Sequence, residues 1–357
     1  MTDPYRIAVI GGDGIGPEVI REALKVLEAV SEICGFGYVT EEFPYGSDHF
    51  LETGELLPSD FIDEVKAFSA ILFGAIGDPR VEVGKVERAV IGGLRFKLDL
   101  YVNLRPIRLL SETLCPIKGK RPEDVDMVVV RENTEDAYAG IGGNLKEGTP
   151  EEVAIQEMIY TRAGCERVIR FAFEFCRKRN KSRKLTLVDK ANAVKAQELW
   201  TRTFSEVGEE YPDIEQNHAY IDAACMWMVK NPEAFDTVVT TNLFGDILTD
   251  LGAVVQGGMG VAASGNIHPG QVSMFEPIHG SAPKYKGQNK ACPVAAISAV
   301  QMLLEYLQEE SGAKLIENSI QELTDNGTFT SFDAKSGLST EDYGDRIVEQ
   351  IRTRQKV

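Results

Sequence analysis

The 357 residues, 43% hydrophobic and 26% charged, describe an ordinary globular chain with material for one large or two modest domains, which excludes a disordered, collagen-like or coiled-coil protein. Fifty-five acidic against 38 basic residues leave a net charge of −17, which repels phosphate backbones, so no nucleic-acid partner is expected. The longest apolar runs fall well short of the ~20 residues that cross a bilayer, and no membrane is expected.

Residues 1–14 show no basic start, apolar stretch or cleavage site, so a cytoplasmic protein is expected. The first strand-like run is 6–10, followed by Gly11-Gly12-Asp13-Gly14 and then a helix from Pro17, where Val19, Ile20, Ala23, Leu24, Leu27 and Val30 recur at helical spacing. Further strand-like runs at 70–73, 127–130, 185–188 and 237–240 alternate with helical patterns at 153–177 and 191–207. A glycine-rich stretch at 252–270 precedes a largely buried helix predicted over 293–307. Strands alternating with helices predict an α/β architecture with substantial parallel sheet. Cys34, Cys115, Cys165, Cys176, Cys225 and Cys292 lack Cys-x-x-Cys spacing and are read as reduced, mostly buried thiols.

Several charged residues sit where apolar ones are expected. Residues 94–106 alternate apolar and polar side chains like a strand and carry Arg95 and Arg105, with Arg108 close behind; a guanidinium fork matches a planar carboxylate. Arg131 follows the 127–130 strand at the end where α/β proteins place ligands, and Tyr138 lies on the same loop, where a phenol can donate a proton. Lys190 ends another strand and is a candidate base. In Asn242-Leu243-Phe244-Gly245-Asp246-Ile247-Leu248-Thr249-Asp250, spacing of four puts Asp246 and Asp250 on one helix face, unfavourable unless a cation sits between them. Asp222 is a carboxylate among apolar neighbours. Taken singly, each has a plainer reading: solvated strand arginines, a surface lysine beside Asp189, aspartates on a helix surface. Gly12, Gly14 and Gly16 alternate and Pro17 follows, so the first loop is not Gly-x-Gly-x-x-Gly and a Rossmann fold is not expected.

In this order the motifs Gly12-Asp13-Gly14-Ile15-Gly16-Pro17-Glu18, Asn103-Leu104-Arg105-Pro106, Val188-Asp189-Lys190-Ala191-Asn192, Asn242-Leu243-Phe244-Gly245-Asp246 and Glu276-Pro277-Ile278-His279-Gly280-Ser281-Ala282-Pro283 resemble the isocitrate and isopropylmalate dehydrogenase family over nearly the whole chain. The resemblance implies an α/β, two-domain, mixed-sheet fold of the isopropylmalate dehydrogenase kind, with 1–100 plus 257–357 forming the large dinucleotide-binding domain and 101–256 the small one. It also implies a homodimer with shared active sites, Lys190 and Asp222 coming from the partner. Arg95, Arg105 and Arg131 would hold malate carboxylates. Asp222, Asp246 and Asp250 would ligate Mg2+ or Mn2+. Lys190 would take the C2 hydroxyl proton, with Asp222 beside it, and Tyr138 would protonate the enol. Glu276, His279, Gly280, Ser281 and Ala282 would line the dinucleotide site.

Substrate choice in such enzymes is read just before Arg95. The positions that resemble the third-carboxylate binders of isocitrate enzymes are Ala89 and Ile91, an apolar wall that disfavours a further charge. Where isopropylmalate enzymes typically carry two leucines, this chain has Ile91-Gly92, and Ala193 replaces a valine. Both changes remove wall volume, which predicts 3-isopropylmalate or a bulkier 3-substituted malate such as 3-benzylmalate. Lys284-Tyr285 resembles the pair of NADP-using members, yet the rest of a 2′-phosphate site is not evident, so NAD is expected with NADP possible. Cys292 stands where an asparagine usually meets adenine. The rivals are tartrate or D-malate oxidation and a non-catalytic regulatory subunit; retention of the arginines, Tyr138, Lys190 and the aspartates speaks against the latter.

Overall fold

The computed structural model describes residues 3–354; positions 1–2 and 355–357, the ends of the expected terminal segments, lie outside the described residues. The chain divides into two compact units, one built from Met1–Leu100, Arg108–Pro122 and Ala253–Val357, the other from Tyr101–Ile107 and Glu123–Gly252. The sequence places 108–122 and 253–256 in the smaller domain, whereas here they belong to the larger unit. Local contacts account for this: the Arg108 amide donates to Gln256 Oε1 at 2.8 Å, and Gln321 Nε2 donates to the Leu110 carbonyl at 3.0 Å.

Among the described residues the strands in chain order are β1 (Tyr5–Gly12), β2 (Tyr38–Glu42), β3 (Ala70–Ala75), β4 (Val102–Arg108), β5 (Asp126–Glu132), β6 (Gly142–Leu145), β7 (Val153–Gln156), β8 (Lys184–Asp189), β9 (Glu215–Tyr220), β10 (Thr237–Thr240), β11 (Ala263–Ile267) and β12 (Met274–Pro277). In the larger unit they run β2-β1-β3-β12-β11; β1 is parallel to β2 and β3, β12 is parallel to β3, and β11 is antiparallel to β12, which makes the sheet mixed. Helix Gly16–Cys34 starts with Pro17 in its first turn and stops at Gly35, whose positive φ lets its amide close on the Ser31 carbonyl. It buries Val19, Ile20, Ala23, Val26, Leu27 and Val30, while Val294–Tyr306 is buried nearly all round, as its Ala-rich sequence predicts.

The loop after β1 folds inward. The Asp13 amide donates to the Ala75 carbonyl at 2.6 Å and the Ile15 amide to the Ser281 carbonyl at 2.8 Å, so these N–H groups are consumed internally rather than turned toward a phosphate. Gly14 has φ +58°, and a Cβ there would overlap the Ser281 carbonyl oxygen. The structure thus agrees with a non-Rossmann loop.

In the smaller unit the order is β4-β5-β10-β8-β9, with β5, β10, β8 and β9 mutually parallel. Its core is Met127, Val129, Leu185, Leu187, Val238 and Val239 on the strands, with Phe173 and Trp200 from the helices Arg162–Arg179 and Glu198–Gly208. Separately, β6 and β7 pair as an antiparallel ribbon.

Three sequence expectations need correction. The helical pattern read over 153–177 begins as β7; the helix starts only at Arg162, where the Thr161 hydroxyl accepts the Gly164 amide at 2.9 Å and fixes the N-terminus. The helix read over 191–207 starts at Glu198, because the Ala193 and Val194 amides both close back on the Lys190 carbonyl in a turn. The strand read over 94–106 is helical at Gly93–Lys97, after a π-type turn at Arg88–Gly92, and becomes strand only at Val102. Val90, Leu94 and Leu98 are buried at spacing four, so a helical period lies beneath the alternation. The six cysteines are unpaired thiols, with Cys165, Cys176 and Cys292 buried and the other three half-buried. No helix among the described residues is long and apolar enough to cross a membrane.

Candidate active site

The middle of β4, the end of β5 and the helix Asn242–Val255 bring Arg105, Arg131, Asp246 and Asp250 together. Arg131 is 1% exposed; its Nε and Nη2 donate to Asn242 Oδ1 at 3.0 and 2.7 Å, and its Nη1 pairs with Asp246. Arg105 donates to Asn103 Oδ1 at 2.7 Å and Thr249 Oγ1 at 2.6 Å, and stands 3.6 Å from Asp246 and 3.7 Å from Asp250. The Tyr138 hydroxyl donates to Asp246 Oδ2 at 3.2 Å, and the Arg131 guanidinium lies 5.4 Å from the centre of its ring. Gly245 is required by this packing, since a Cβ there would run into the Arg131 side-chain stem.

Two guanidinium groups, two carboxylates and a phenol therefore share one locality. Burial raises the Asp246 carboxyl, but the charges of Arg131 and Arg105 outweigh it and hold the group below its ordinary range. Asp250 goes the other way: burial, then repulsion from Asp246, push it up. That asymmetry is what two like charges on one face produce when cations reach mainly one of them.

Lys190 and Asp222 form a second locality, Nζ pairing with the carboxylate, which this bond holds below its usual range. Asp222 is 65% exposed, and among the described residues no three His, Cys, Asp or Glu side chains gather closely enough to hold a metal. A single chain thus joins Asp246 to Asp250 but does not bring Asp222 to them. Ala193 sits exposed on the Lys190 turn.

In the larger unit Arg95 Nη2 donates to Glu276 Oε1 at 2.7 Å, and Asn266 Nδ2 donates to the same oxygen at 2.8 Å. Glu276 is thereby the buried counter-ion of Arg95. Arg95 Nε is buried without a hydrogen-bond partner among the described residues, as is His279 Nε2. Burial lowers the His279 pKa, and its Nδ1–H donates to the Gly280 carbonyl at 3.1 Å, which leaves Nε2 as a bare acceptor. Ser281 Oγ donates to the Gly77 carbonyl at 2.5 Å, and Ala282 adopts a left-handed φ of 39°. Exposed Lys284 lies 4.7 Å over the Tyr285 ring. Cys292 is buried with Sγ 3.6 Å from the Gly260 carbonyl, and burial pushes its thiol up to about 12. Ile91 is half-buried against the core, whereas a Cβ on Gly92 would meet nothing closer than the Glu87 carbonyl at 3.8 Å.

Sequence reasoning misses Asn103, Thr249 and Asn242, the neutral groups that aim the two arginines. Asn103 opens the Asn-Leu-Arg-Pro motif and Asn242 the Asn-Leu-Phe-Gly-Asp run, where the pattern gives neither a role of its own; Thr249 has no local signal. Glu132, next to Arg131, is missed too. It is buried, its carboxylate accepts the Thr134 amide at 2.6 Å and the Glu135 amide at 2.9 Å, and burial outweighs these bonds to push it up to about 7. A raised carboxyl contributes stability that is full below its unfolded pKa and lost as pH rises through the folded value. Unfolding free energy should therefore drop by about 3 kcal/mol between pH 4.5 and 7 on account of this group. Denaturant titrations of the wild type and Glu132→Gln across that window should show the slope flattened in the variant; equal slopes would contradict the assignment.

The sequence profile of the isocitrate/isopropylmalate dehydrogenase family matches residues 6–347. The 3-isopropylmalate dehydrogenase of Thermobifida fusca is 49% identical over 97% of both chains, and that of Mycobacterium avium is 50% identical over 88% of this chain and 93% of its own. Among solved structures, isocitrate dehydrogenase from Methylococcus capsulatus superposes with a TM-score of 0.87 at 36% identity, covering 98% of this chain and 99% of that one. A beta-decarboxylating dehydrogenase from Thermococcus kodakarensis gives 0.81 at 36% identity over 99% and 98%. With buried arginines and paired aspartates on the residues that carry the likeness, the chain belongs to the isocitrate/isopropylmalate dehydrogenase family of decarboxylating oxidoreductases.

Proposed function

We propose that this protein catalyses the oxidative decarboxylation of a 3-substituted malate, 3-isopropylmalate or a bulkier analogue such as 3-benzylmalate, with NAD and Mg2+ or Mn2+. The observation that carries this reading is the convergence of Arg105 and Arg131 on Asp246 and Asp250, with the Tyr138 hydroxyl on Asp246. Fixed arginine forks suit a dicarboxylate, and a pair of carboxylates four apart on one helix suits a hard divalent cation. The curated 3-isopropylmalate dehydrogenases at about half identity support the same substrate class.

In this reading Arg95, Arg105 and Arg131 bind and orient the malate carboxylates. Arg95 Nε, buried and without a partner among the described residues, is a donor such a carboxylate satisfies. Lys190, as the neutral amine, would take the proton from the C2 hydroxyl, and Tyr138 would return a proton to the enol carbon once carbon dioxide has left; nicotinamide, when bound, would supply the hydride acceptor. Asp222, Asp246 and Asp250 would hold the cation, which when bound supplies positive charge at the C2 oxygen. The donor set fits such a group: carboxylates are hard oxygen ligands, and Asp246 and Asp250 repel each other on one helix face. His279 Nε2, the segment from Gly280 to Ala282 and the Lys284–Tyr285 pair are assigned to the dinucleotide.

We assign Lys190 and Asp222 to the site of a second copy of the chain. Supporting this, Asp222 is exposed and apart from Asp246, and the helices Ile221–Lys230 and Asn242–Val255 expose Met226, Trp227, Val229 and Ile247. An apolar face of this kind is what a homodimer covers.

The bulkier substrate is favoured by Gly92, where a Cβ would meet nothing closer than the Glu87 carbonyl at 3.8 Å, so the position is not overpacked. The test compares kcat/KM for 3-isopropylmalate and 3-benzylmalate, each with NAD and NADP, with manganese present or chelated. Turnover of either malate that vanishes on chelation supports the reading. A benzyl preference assigns the space beside Gly92 to the substituent, and an isopropyl preference places this chain with its curated relatives. A match with NADP assigns Lys284 to a 2′-phosphate. Activity on D-malate or tartrate alone would overturn the substrate class, and no turnover of any of these acids would favour a regulatory subunit.

A further inference from the structure

Strand β8 ends in Asp189, immediately before Lys190, and strand β9 runs parallel to it with Leu187 opposite His218 and Asp189 opposite Tyr220. Asp189 is fully buried. A buried carboxylate needs several donors, and three close on it. Oδ1 accepts the Ala191 amide at 3.0 Å and His218 Nε2 at 3.0 Å, and Oδ2 accepts the Thr201 hydroxyl at 3.1 Å. The neighbouring peptide is fixed as well: the Lys190 amide donates to Gln197 Oε1 at 2.6 Å, and the Lys190 carbonyl accepts the Ala193 and Val194 amides at 2.9 and 2.8 Å.

These bonds do more than satisfy one carboxylate. Through the Ala191 amide, Asp189 holds the turn from which the Lys190 side chain leaves. Through His218 it is tied to β9, which passes directly into the helix Ile221–Lys230 carrying Asp222. The imidazole and the Tyr220 ring also pack edge to face, centroids 5.1 Å apart and planes at 80°, so the ring orientation is set from a second side. His218 is thus the side-chain link between the strand end that bears the lysine and the strand end that bears its partner carboxylate. We propose that His218 is a positioning residue that, acting through Asp189, sets Lys190 against Asp222. This rests on the assignment of Lys190 as the proton acceptor.

The test uses full-length His218→Ala, His218→Gln, Lys190→Ala and the double variant His218→Ala/Lys190→Ala, assayed with 3-isopropylmalate, NAD and manganese, with melting temperatures recorded alongside. A group misplaced by about 1 Å costs up to about 100-fold, so His218→Ala should lower kcat on the order of 10- to 100-fold while KM for NAD stays within about twofold. The amide nitrogen of glutamine can stand where Nε2 stood, so His218→Gln should recover most of kcat. In the Lys190→Ala background His218→Ala should have no further effect, because the residue it positions is gone. Equal losses in His218→Ala and His218→Gln, a multiplicative loss in the double variant, or a change confined to melting temperature would each overturn the proposal. Normal turnover in Lys190→Ala removes the underlying assignment and this proposal with it, whereas an inactive Lys190→Ala beside a fully active His218→Ala removes this proposal alone.

Discussion

Lys190→Ala is expected to lower kcat on the order of 100- to 10,000-fold, the range a positioned acid–base group supplies, while KM for the dinucleotide is unchanged. The prediction follows from how the lysine is held. Its Nζ pairs with Asp222, and the main chain on either side is held by Gln197 and Asp189, so the amine is a placed group rather than a mobile surface charge. Lys190→Arg separates charge from proton transfer. Arginine preserves a cation beside Asp222, but its guanidinium does not give up a proton in proteins, so it cannot serve as the acceptor. Both variants should therefore lose turnover on this scale in dinucleotide reduction, with Lys190→Arg keeping the wild-type melting temperature more closely. Normal turnover in Lys190→Ala would sink the acid–base assignment; substantial activity in Lys190→Arg would mean the lysine contributes only charge.

Much of this was legible in the sequence because the chemistry-bearing residues fall at element ends. Arg131 follows a run of four apolar residues and Lys190 comes two residues after another, and the structure puts Arg131 next to last in β5 and Lys190 directly after β8. Asp246 and Asp250 are helical neighbours by spacing alone, and the helix is there. What failed was the reading of period where two periods coexist. Residues 94–106 alternate, yet Val90, Leu94 and Leu98 also recur every four, and burial on the core decided for the helix. The early helix starts read at 153 and 191 failed for a different reason. Thr161 and the turn closing on the Lys190 carbonyl stop helices that propensity alone would extend backward. The pairing of Arg95 with Glu276, 181 positions away, is set by tertiary structure, and no local pattern announces it. The same holds for Thr249 beneath Arg105 and for His218 on Asp189.

Asp246→Asn is expected to act on stability and metal affinity together. Asp246 carries the Nη1 contact of Arg131, which is itself 1% exposed, so removing the charge replaces the carboxylate of this buried ion pair with a neutral amide. Breaking a buried pair costs several kcal/mol, but the Asp246 side chain is 38% exposed and water screens it, so about 1–3 kcal/mol is the expected loss at neutral pH. The sign with pH is fixed by the direction of its shift. A carboxyl held below its ordinary value adds stability above the unfolded pKa and loses it as pH falls through the folded one, so the difference between wild type and variant should close in acid. Manganese affinity, measured by calorimetry, should fall by at least the ~10- to 100-fold that losing an outer-shell partner costs; unchanged affinity would sink the metal assignment. The same variant tests the second-copy reading. In a symmetric dimer whose sites take Asp246 from one chain and Lys190 from the other, a mixed dimer of Asp246→Asn and Lys190→Ala chains places both defects in one site and leaves the other intact, so refolding the two inactive variants together should restore roughly a quarter of wild-type activity. If both residues serve the same site from one chain, every site carries a defect and no activity returns.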